Sequence, residues 1–520
     1  DGNYFDFFRH CKTFSQFLQL HAHFLPISSS PNFPSSHHLH ALLQFISASP
    51  PITLRSTSIL RYALSLFSSI KRPTAFSYNH IFRLHSLLSS PSHAILLFLR
   101  MRRFAVAPDS HTFPILLKAA SSHPHSIPPL HAQVIRFGFP HDLFVANTLM
   151  RVYSLCGSIT SAYKVFDETP TRDLVSFNSM IDGFCKTGEI DLARQLFDAM
   201  PTRDSISWAT VISGYSQMNL HEEALALFDA MMGSNITPQN TSLVSALSCC
   251  ARLGNKDKGK EIHCYIVRNN IKLDSFISTA LIDFYSKCGL IEQALQIFES
   301  CSDKGLFTWN SLLFSLAIHG FPNLVLNYFK RMATTPVKPD GITLLAVLVG
   351  CSHGGLPTEG ARVFSQMESV YNVPIEEKHY GCIADLLGRG GMIEEAMRII
   401  KDNRVNDVYV WGSLLGGCRS HGNVDVAEMA AKMVKEVAPG DGGVYPMLAS
   451  VYASVARWED VVKVRKCLSC DEEVIKIRGC SFISVNSVVH EFVSWDELHP
   501  NKDDIFFTLH GLRMHQLEQS

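Results

Sequence analysis

The sequence lacks an excess of charge of either sign. Its 520 residues carry 46 Lys and Arg against 47 Asp and Glu, a formal net charge of −1. Binding a polyanion through bulk positive charge is thereby disfavoured, although a basic stripe can sit inside a neutral total. Long apolar runs are missing too. Stretches such as "ITLLAVLVGC" at 342–351 fall well short of the roughly 20 residues a membrane-crossing helix needs. The 14 Cys stand singly, or side by side at Cys249 and Cys250. They lack the spacing of a disulfide framework, which points to a reducing compartment. The first residue is Asp1, so the lack of a targeting segment carries no weight.

What the sequence has is one phrase repeated. "SFNSMIDGFCKTGEIDLARQLFDAMPTRD", Ser176 to Asp204, reads as a helical hairpin turning at Gly188. Related turns occur at Gly157, Gly289, Gly391 and Gly422, where Gly tolerates the positive φ that ends a helix. Five residues beyond each Gly stands an Ala: Ala162, Ala193, Ala294, Ala396 and Ala427. Phe166, Phe197 and Phe298 follow one helical turn later. This pattern predicts close helix approach at Ala and core filling at Phe. "NLHEEALALFDAMM" repeats it with Ala224 and Phe228, and Asn219 in place of Gly.

The first helix of each hairpin has its own phrase: "AFSYNHIF", "LFVANTLM", "LVSFNSMI", "SISWATVI", "LFTWNSLL". With Asn178 as the fifth residue of its repeat, repeats start at Ala75, Ser110, Leu143, Leu174, Ser205, Asn240, Ser275, Leu306, Gly341 and Glu377. They run 31 to 36 residues each, and the last ends at Asp407. Such an array is a solenoid in which each repeat packs on its neighbours.

These phrases, with repeat ends in "KPD" or "RD" and alternating repeat lengths, resemble pentatricopeptide repeat proteins of the plant PLS subclass. The tetratricopeptide repeat is set aside, because its W-x2-L-G-x2-Y phrase does not recur. The resemblance implies an all-α fold, a right-handed superhelical solenoid of helix-turn-helix repeats with a short C-terminal extension. It divides the chain into degenerate repeats over 1–74, an array of about ten repeats over 75–407, E1/E2 motifs over 408–475 and an E+ extension over 476–520. The Ser-, Pro- and His-rich stretch at 27–38 reads as a loop.

In that family one repeat reads one RNA base with two or three side chains, chiefly the fifth residue and the last. Four repeats here carry the same pair: Asn79 with Asp109, Asn147 with Asp173, Asn178 with Asp204, and Asn310 with Asp340. A carboxamide offers a donor and an acceptor together, which matches a pyrimidine edge. By resemblance, Asn with Asp prefers uracil, then cytosine. A single Asn is explained more often as a helix cap; four in one register favour base reading. Val244 with Asp274, Thr279 with Gly305, and Gly381 with Asp407 are less legible members of the same RNA-binding set. Ala209 with Gln239, Pro114 with Asp142 and Leu345 with Glu376 depart further. The second residues Phe76, Val175, Ile206, Phe276 and Phe307 are apolar. Two readings of them stand: wedges between bases, or packing between repeats.

Beyond Asp407, "VWGSLLGGCRSHGN" (410–423), "VYPMLASVYASVARWEDVVKVRK" (444–466) and "GCSFISVNSVVHEFVSWDELHP" (479–500) look like the E and E+ extensions of organellar C-to-U editing factors. Arg478 stands where the family has Pro, Phe482 where it has Trp, and "CLSCDEEVIK" diverges. A DYW cytidine deaminase domain needs H-x-E followed by P-C-x-x-C around Zn²⁺, and neither occurs in order. Cys467 and Cys470 form one C-x-x-C, short of the four ligands a zinc site takes. His490 and Glu491 are expected to be structural.

No catalytic residue, metal or cofactor is therefore expected. The resemblance implies a non-enzymatic specificity factor that binds single-stranded RNA in an organelle, the mitochondrion ahead of the chloroplast, with no membrane contact. It would recruit a DYW-type cytidine deaminase in trans, with multiple organellar editing factor proteins on its long repeats. The alternatives are an RNA stability or splicing factor, and a protein-interaction solenoid.

Overall fold

The computed structural model describes Gln19 and residues 57–70, 72–87, 91–470, 480–485, 488–493 and 499–519. The stretch 27–38, Arg478, most of "CLSCDEEVIK", and the side chains of Cys470 and Phe482 lie outside the described residues.

Nine of the ten expected repeat starts are helix starts. Helices begin at Ala75, Leu143, Leu174, Ser205, Asn240, Ser275, Leu306, Gly341 and Glu377. The second repeat differs: its helix begins at Thr112, two residues past Ser110. The Asp109 carboxylate accepts from the backbone N–H of His111 at 3.0 Å and of Thr112 at 2.8 Å, which folds 109–112 into a turn ahead of the helix.

The chain divides between Leu290 and Ile291 into two compact bodies. Both are helical solenoids in which the first helices of successive repeats stack. In the first body Ala75–Leu87 packs on Thr112–Ala120, and Leu143–Leu155 on Leu174–Thr187. In the second, Leu306–Ile318 packs on Gly341–His353, and Glu377–Arg389 on Val408–His421.

The five expected Gly turns all have positive φ, between 64° and 85°, and Asn219 has φ 60°. Ala162, Ala193, Ala294, Ala396, Ala427 and Ala224 are buried, with Phe166, Phe197, Phe298 and Phe228 buried beside them. Three further turns, at Gly254, Gly320 and Gly355, also have positive φ. They escape the Ala pattern because the residue five places on is Gly259, Val325 or Gly360. At Gly259 and Gly360 the helices approach too closely for Ala. A Cβ on Gly259 would stand 2.1 Å from the Phe284 ring, and one on Gly360 2.2 Å from Leu386.

Past the last hairpin, Cys480–Val485 and Val488–Val493 pair as two antiparallel strands, with His490 opposite Ile483. A helix, Lys502–Gln519, follows. Among the described residues no helix is long and apolar enough to cross a membrane.

Candidate nucleic-acid interface

The last residue of a repeat is also the cap of the next helix. Asp142, Asp173, Asp204, Asp274, Asp340 and Asp407 each accept a backbone N–H from the turn that follows. Capping is therefore done by Asp. The Asn residues lie inside their helices, five residues in, and Asn79, Asn147 and Asn310 are buried.

Helix stacking brings the fifth residue of one repeat to the cap of the next. Asn79 Nδ2 donates to both oxygens of Asp109, at 2.9 and 3.2 Å. Asn147 Nδ2 donates to Asp173 at 3.1 Å, and Asn310 Nδ2 to Asp340 at 3.1 Å. Asn178 and Asp204 are not joined, and Asn178 Oδ1 is buried without a partner. The residue types match the third repeat, so nothing in the spacing explains the difference. Burial pushes the Asp109, Asp173 and Asp340 carboxyls up. The N–H and O–H groups aimed at them outweigh burial and hold all three below the ordinary carboxylate value.

The less legible pairs behave differently. Val244 offers Asp274 no polar group; Asn240, the first residue of that repeat, donates to Asp274 at 2.9 Å instead. Gln239 likewise donates to Ser205, the first residue of its repeat, at 2.9 Å. The Thr279 hydroxyl turns back to the Ser275 carbonyl at 2.6 Å. Asp407 accepts from the backbone N–H of Tyr409 and Val410 at 2.8 and 3.2 Å.

The apolar second residues are exposed. Phe276 is 71% exposed and Phe307 69%; Phe76, Val175 and Ile206 are about half exposed. Phe144, Ile342 and Tyr409 hold the same position in their helices and are exposed too, although only their register points to them. A second and a fifth residue lie one helical turn apart, so they share a face. Apolar groups left in water at one register are informative in a way that a lone exposed Leu is not.

The Arg before the Asp is a further recurrent part. In "FDETPTRD" and "FDAMPTRD", Arg172 and Arg203 lie over Phe166 and Phe197 at 4.5 and 4.9 Å. Arg172 donates to the carbonyls of Phe166 and Asp167 at 2.9 and 2.8 Å, and Arg203 to those of Phe197 and Asp198 at 3.0 and 2.8 Å. These bonds close the end of the second helix and fix where the following Asp begins.

Elsewhere the chemistry is quiet. Burial pushes the Cys185 and Cys250 thiols up to about 12, the opposite of an activated nucleophile. Cys467 is exposed. Among the described residues no three His, Cys, Asp or Glu side chains gather as a metal site. On the second strand, His490 Nδ1 lies 3.0 Å from His499 Nε2, and the His499 ring stacks on Phe492.

A PPR-repeat family model matches residues 171–201, a second one matches 144–173, 206–236, 276–306 and 307–334, and an E-motif model matches 421–484. The pentatricopeptide repeat-containing protein At5g61800 of Arabidopsis thaliana is 49% identical over 483 residues, 91% of this chain and 97% of that protein. Two more Arabidopsis thaliana relatives carry organellar names. At5g59200, chloroplastic, is 42% identical over 87% of this chain and 82% of its own length. At2g22410, mitochondrial, is 39% identical over 84% and 65%. Among solved structures, the pentatricopeptide repeat protein PPR10 in complex with an 18-nt psaJ RNA element superposes with a TM-score of 0.52. It is 14% identical, over 89% of this chain and 78% of that one, and so speaks to the fold alone.

Proposed function

Because the chain belongs to the pentatricopeptide repeat family, we propose that it is a sequence-specific single-stranded RNA-binding protein. In this reading it is a non-catalytic specificity factor for organellar C-to-U editing. One observation carries the reading: an exposed apolar second residue one turn from a fifth-position amide, which in three repeats is held by the Asp that ends the repeat. The second residue stacks on a base face, and the amide meets that base's Watson–Crick edge. An Asn that gives one N–H to Asp keeps a second N–H and its oxygen lone pairs. A uracil edge takes both, its N3–H donating to Oδ1 and a carbonyl accepting from Nδ2. The array then asks for pyrimidines at its first, third, fourth and eighth repeats, read 5′ to 3′ along the chain.

The editing role is supported by the E-motif match and by the hairpin and helix at its end and beyond. Alternating repeat lengths favour the PLS subclass. A DYW-type deaminase recruited in trans by the C-terminal extension is brought to one cytidine by proximity, since tethering raises its local concentration. Multiple organellar editing factor proteins fit the longer repeats. The relatives' names favour an organelle; the mitochondrion is the first choice and the chloroplast the second.

The test is an RNA selection on the whole chain, repeated with Asn310→Thr. Pyrimidines should be enriched at four positions, and the variant should shift the eighth-repeat position alone toward a purine. A wild-type chain that enriches no RNA sinks the reading and turns attention to protein partners.

A further inference from the structure

Asn147 and Asn310 are held at both ends. Nδ2 donates to the capping Asp, and Oδ1 accepts a hydroxyl from the third residue of the next repeat. Ser176 Oγ lies 2.7 Å from Asn147 Oδ1, and Thr343 Oγ1 2.6 Å from Asn310 Oδ1. Each hydroxyl also lies near its Asp, at 2.8 and 2.9 Å. The hydroxyl proton is shared between the two, and the contact to the Asn is the shorter one in both repeats. Oδ1 of Asp173 also receives the Ser176 N–H at 2.8 Å and the Asn147 N–H at 3.1 Å, so the Asn offers the hydroxyl the less crowded acceptor. Oδ1 of Asp340 receives the Thr343 and Asn310 N–H groups in the same way, at 2.9 and 3.1 Å.

Among the repeats that end in Asp, this hydroxyl accompanies Asn. Seven repeats end in Asp. Where the fifth residue is Asn, the third residue after that Asp is Thr112, Ser176, Ser207 or Thr343. Where it is Pro114, Val244 or Gly381, the same place holds Val145, Ile277 or Val410. Those three apolar residues are buried and their Asp residues cap without them. In the third and eighth repeats the hydroxyl reaches the Asn; in the first and fourth it turns to the Asp instead, Thr112 Oγ1 lying 2.9 Å from Asp109 and Ser207 Oγ 2.7 Å from Asp204.

We propose that Ser176 and Thr343 are positioning residues for base choice, which rests on the RNA reading above. Both are fully buried and reach RNA only through Asn. The Asp anchors one end of the amide; alone it leaves the group free to turn about that bond. The hydroxyl anchors the other end and fixes the plane. With Oδ1 facing N3, uracil donates its N3–H. Cytosine presents a bare N3 there and is repelled; it pairs only with an amide that has turned to offer N–H. Holding the amide is therefore what separates uracil from cytosine.

The experiment uses the whole chain and the RNA selected for it, with U or C at the third- or eighth-repeat position. Ser176→Ala should lower the U-over-C affinity ratio at the third-repeat position about threefold to tenfold, the range of one hydrogen bond. The eighth-repeat ratio should stay as in the wild type. Thr343→Val, which keeps the side-chain volume, should do the reverse, and it decides the matter if Ser176→Ala does not fold. Ser176→Thr and Thr343→Ser should keep wild-type ratios. Unchanged ratios in the alanine and valine variants, or ratios falling together at both positions, overturn the proposal and leave RNA binding standing. No RNA binding by the wild type overturns both.

Discussion

Asn310 and Asp340 are 30 residues apart in sequence and 3.1 Å apart in space. The distance is short because one carboxylate serves two helices: it caps Gly341–His353 and receives the amide buried in Leu306–Ile318. The repeat length sets this relationship, since the residue that ends one hairpin must start the next.

Asp340→Ala should therefore cost more than a cap. Losing a cap typically costs about 1 kcal/mol, and leaving a buried amide N–H unpaired costs about another 1–3 kcal/mol. Asp340→Asn keeps most of the cap and should cost less. Hydrogen exchange over 306–353 checks the order: alanine most open, asparagine intermediate, wild type most protected.

The same geometry sets a pH dependence. The folded-state carboxyls of Asp173 and Asp340 lie below their ordinary value of 3.8, against the push of burial, because backbone, hydroxyl and Asn donors favour the charged form. The stabilisation is fully present above the unfolded-chain value. It is lost as pH falls through the lower, folded value. Acidification toward pH 3 should open Gly341–His353 in the wild type, with a shallower dependence in Asp340→Asn. Equal slopes in the two proteins would remove Asp340 from the account.

The hairpins were legible in the sequence because Gly turns and Asn–Asp ends recur at fixed offsets. Other parts were not, for physical reasons. Gly259 and Gly360 stand at the place Ala holds in other repeats, so their hairpins fell outside the pattern, and a Gly in a helix gives no sign of whether it marks a turn, a cap or a close approach. Ser176 and Thr343 look like ordinary capping-box residues until the amide across the hairpin is seen beside them. Asn240 takes the place of Val244 beside Asp274 by reaching from the first turn, a route that repeat numbering does not suggest. Whether Asn178 joins Asp204 is a matter of side-chain conformation, and sequence is silent on it.

Close approach gives its own prediction. Gly259→Ala drives a methyl into the Phe284 ring, and overpacking of this kind typically costs about 1–3 kcal/mol. That outweighs the roughly 1 kcal/mol of helix propensity gained. The equivalent place in a sister repeat holds a buried Ala193, where the helices leave room for the methyl. Thermal melting should show a lower midpoint for Gly259→Ala; a raised midpoint would mean the two helices can separate freely.

His85 supplies a second pH signature, at higher pH. Burial, helped by the neighbouring His93, lowers its value to about 4 from the ordinary 6.5, and Nδ1 has no partner. Below pH 6.5 the unfolded chain gains a proton that the folded chain refuses. Stability falls with pH until about 4, where the folded ring also protonates and the loss levels off. Hydrogen exchange over 75–103 should accelerate between pH 7 and 5 in the wild type and hardly at all in His85→Gln.

The exposed second residues separate binding from folding most cleanly. Phe276 and Phe307 give most of their surface to solvent, while Phe298 is fully buried. Truncating the buried ring removes core and typically costs about 3–5 kcal/mol of stability. Truncating an exposed ring removes almost no packing, so Phe276→Ala and Phe307→Ala should melt like the wild type. If those rings stack on bases, each truncation should weaken RNA binding by about 1–3 kcal/mol. The loss should be insensitive to which base is present, because every base has a face, whereas Asn variants should change preference at one position. An exposed Phe whose removal lowers the melting midpoint and leaves RNA affinity intact would instead be part of the packing between repeats, and the apolar register would lose its meaning as a reading surface.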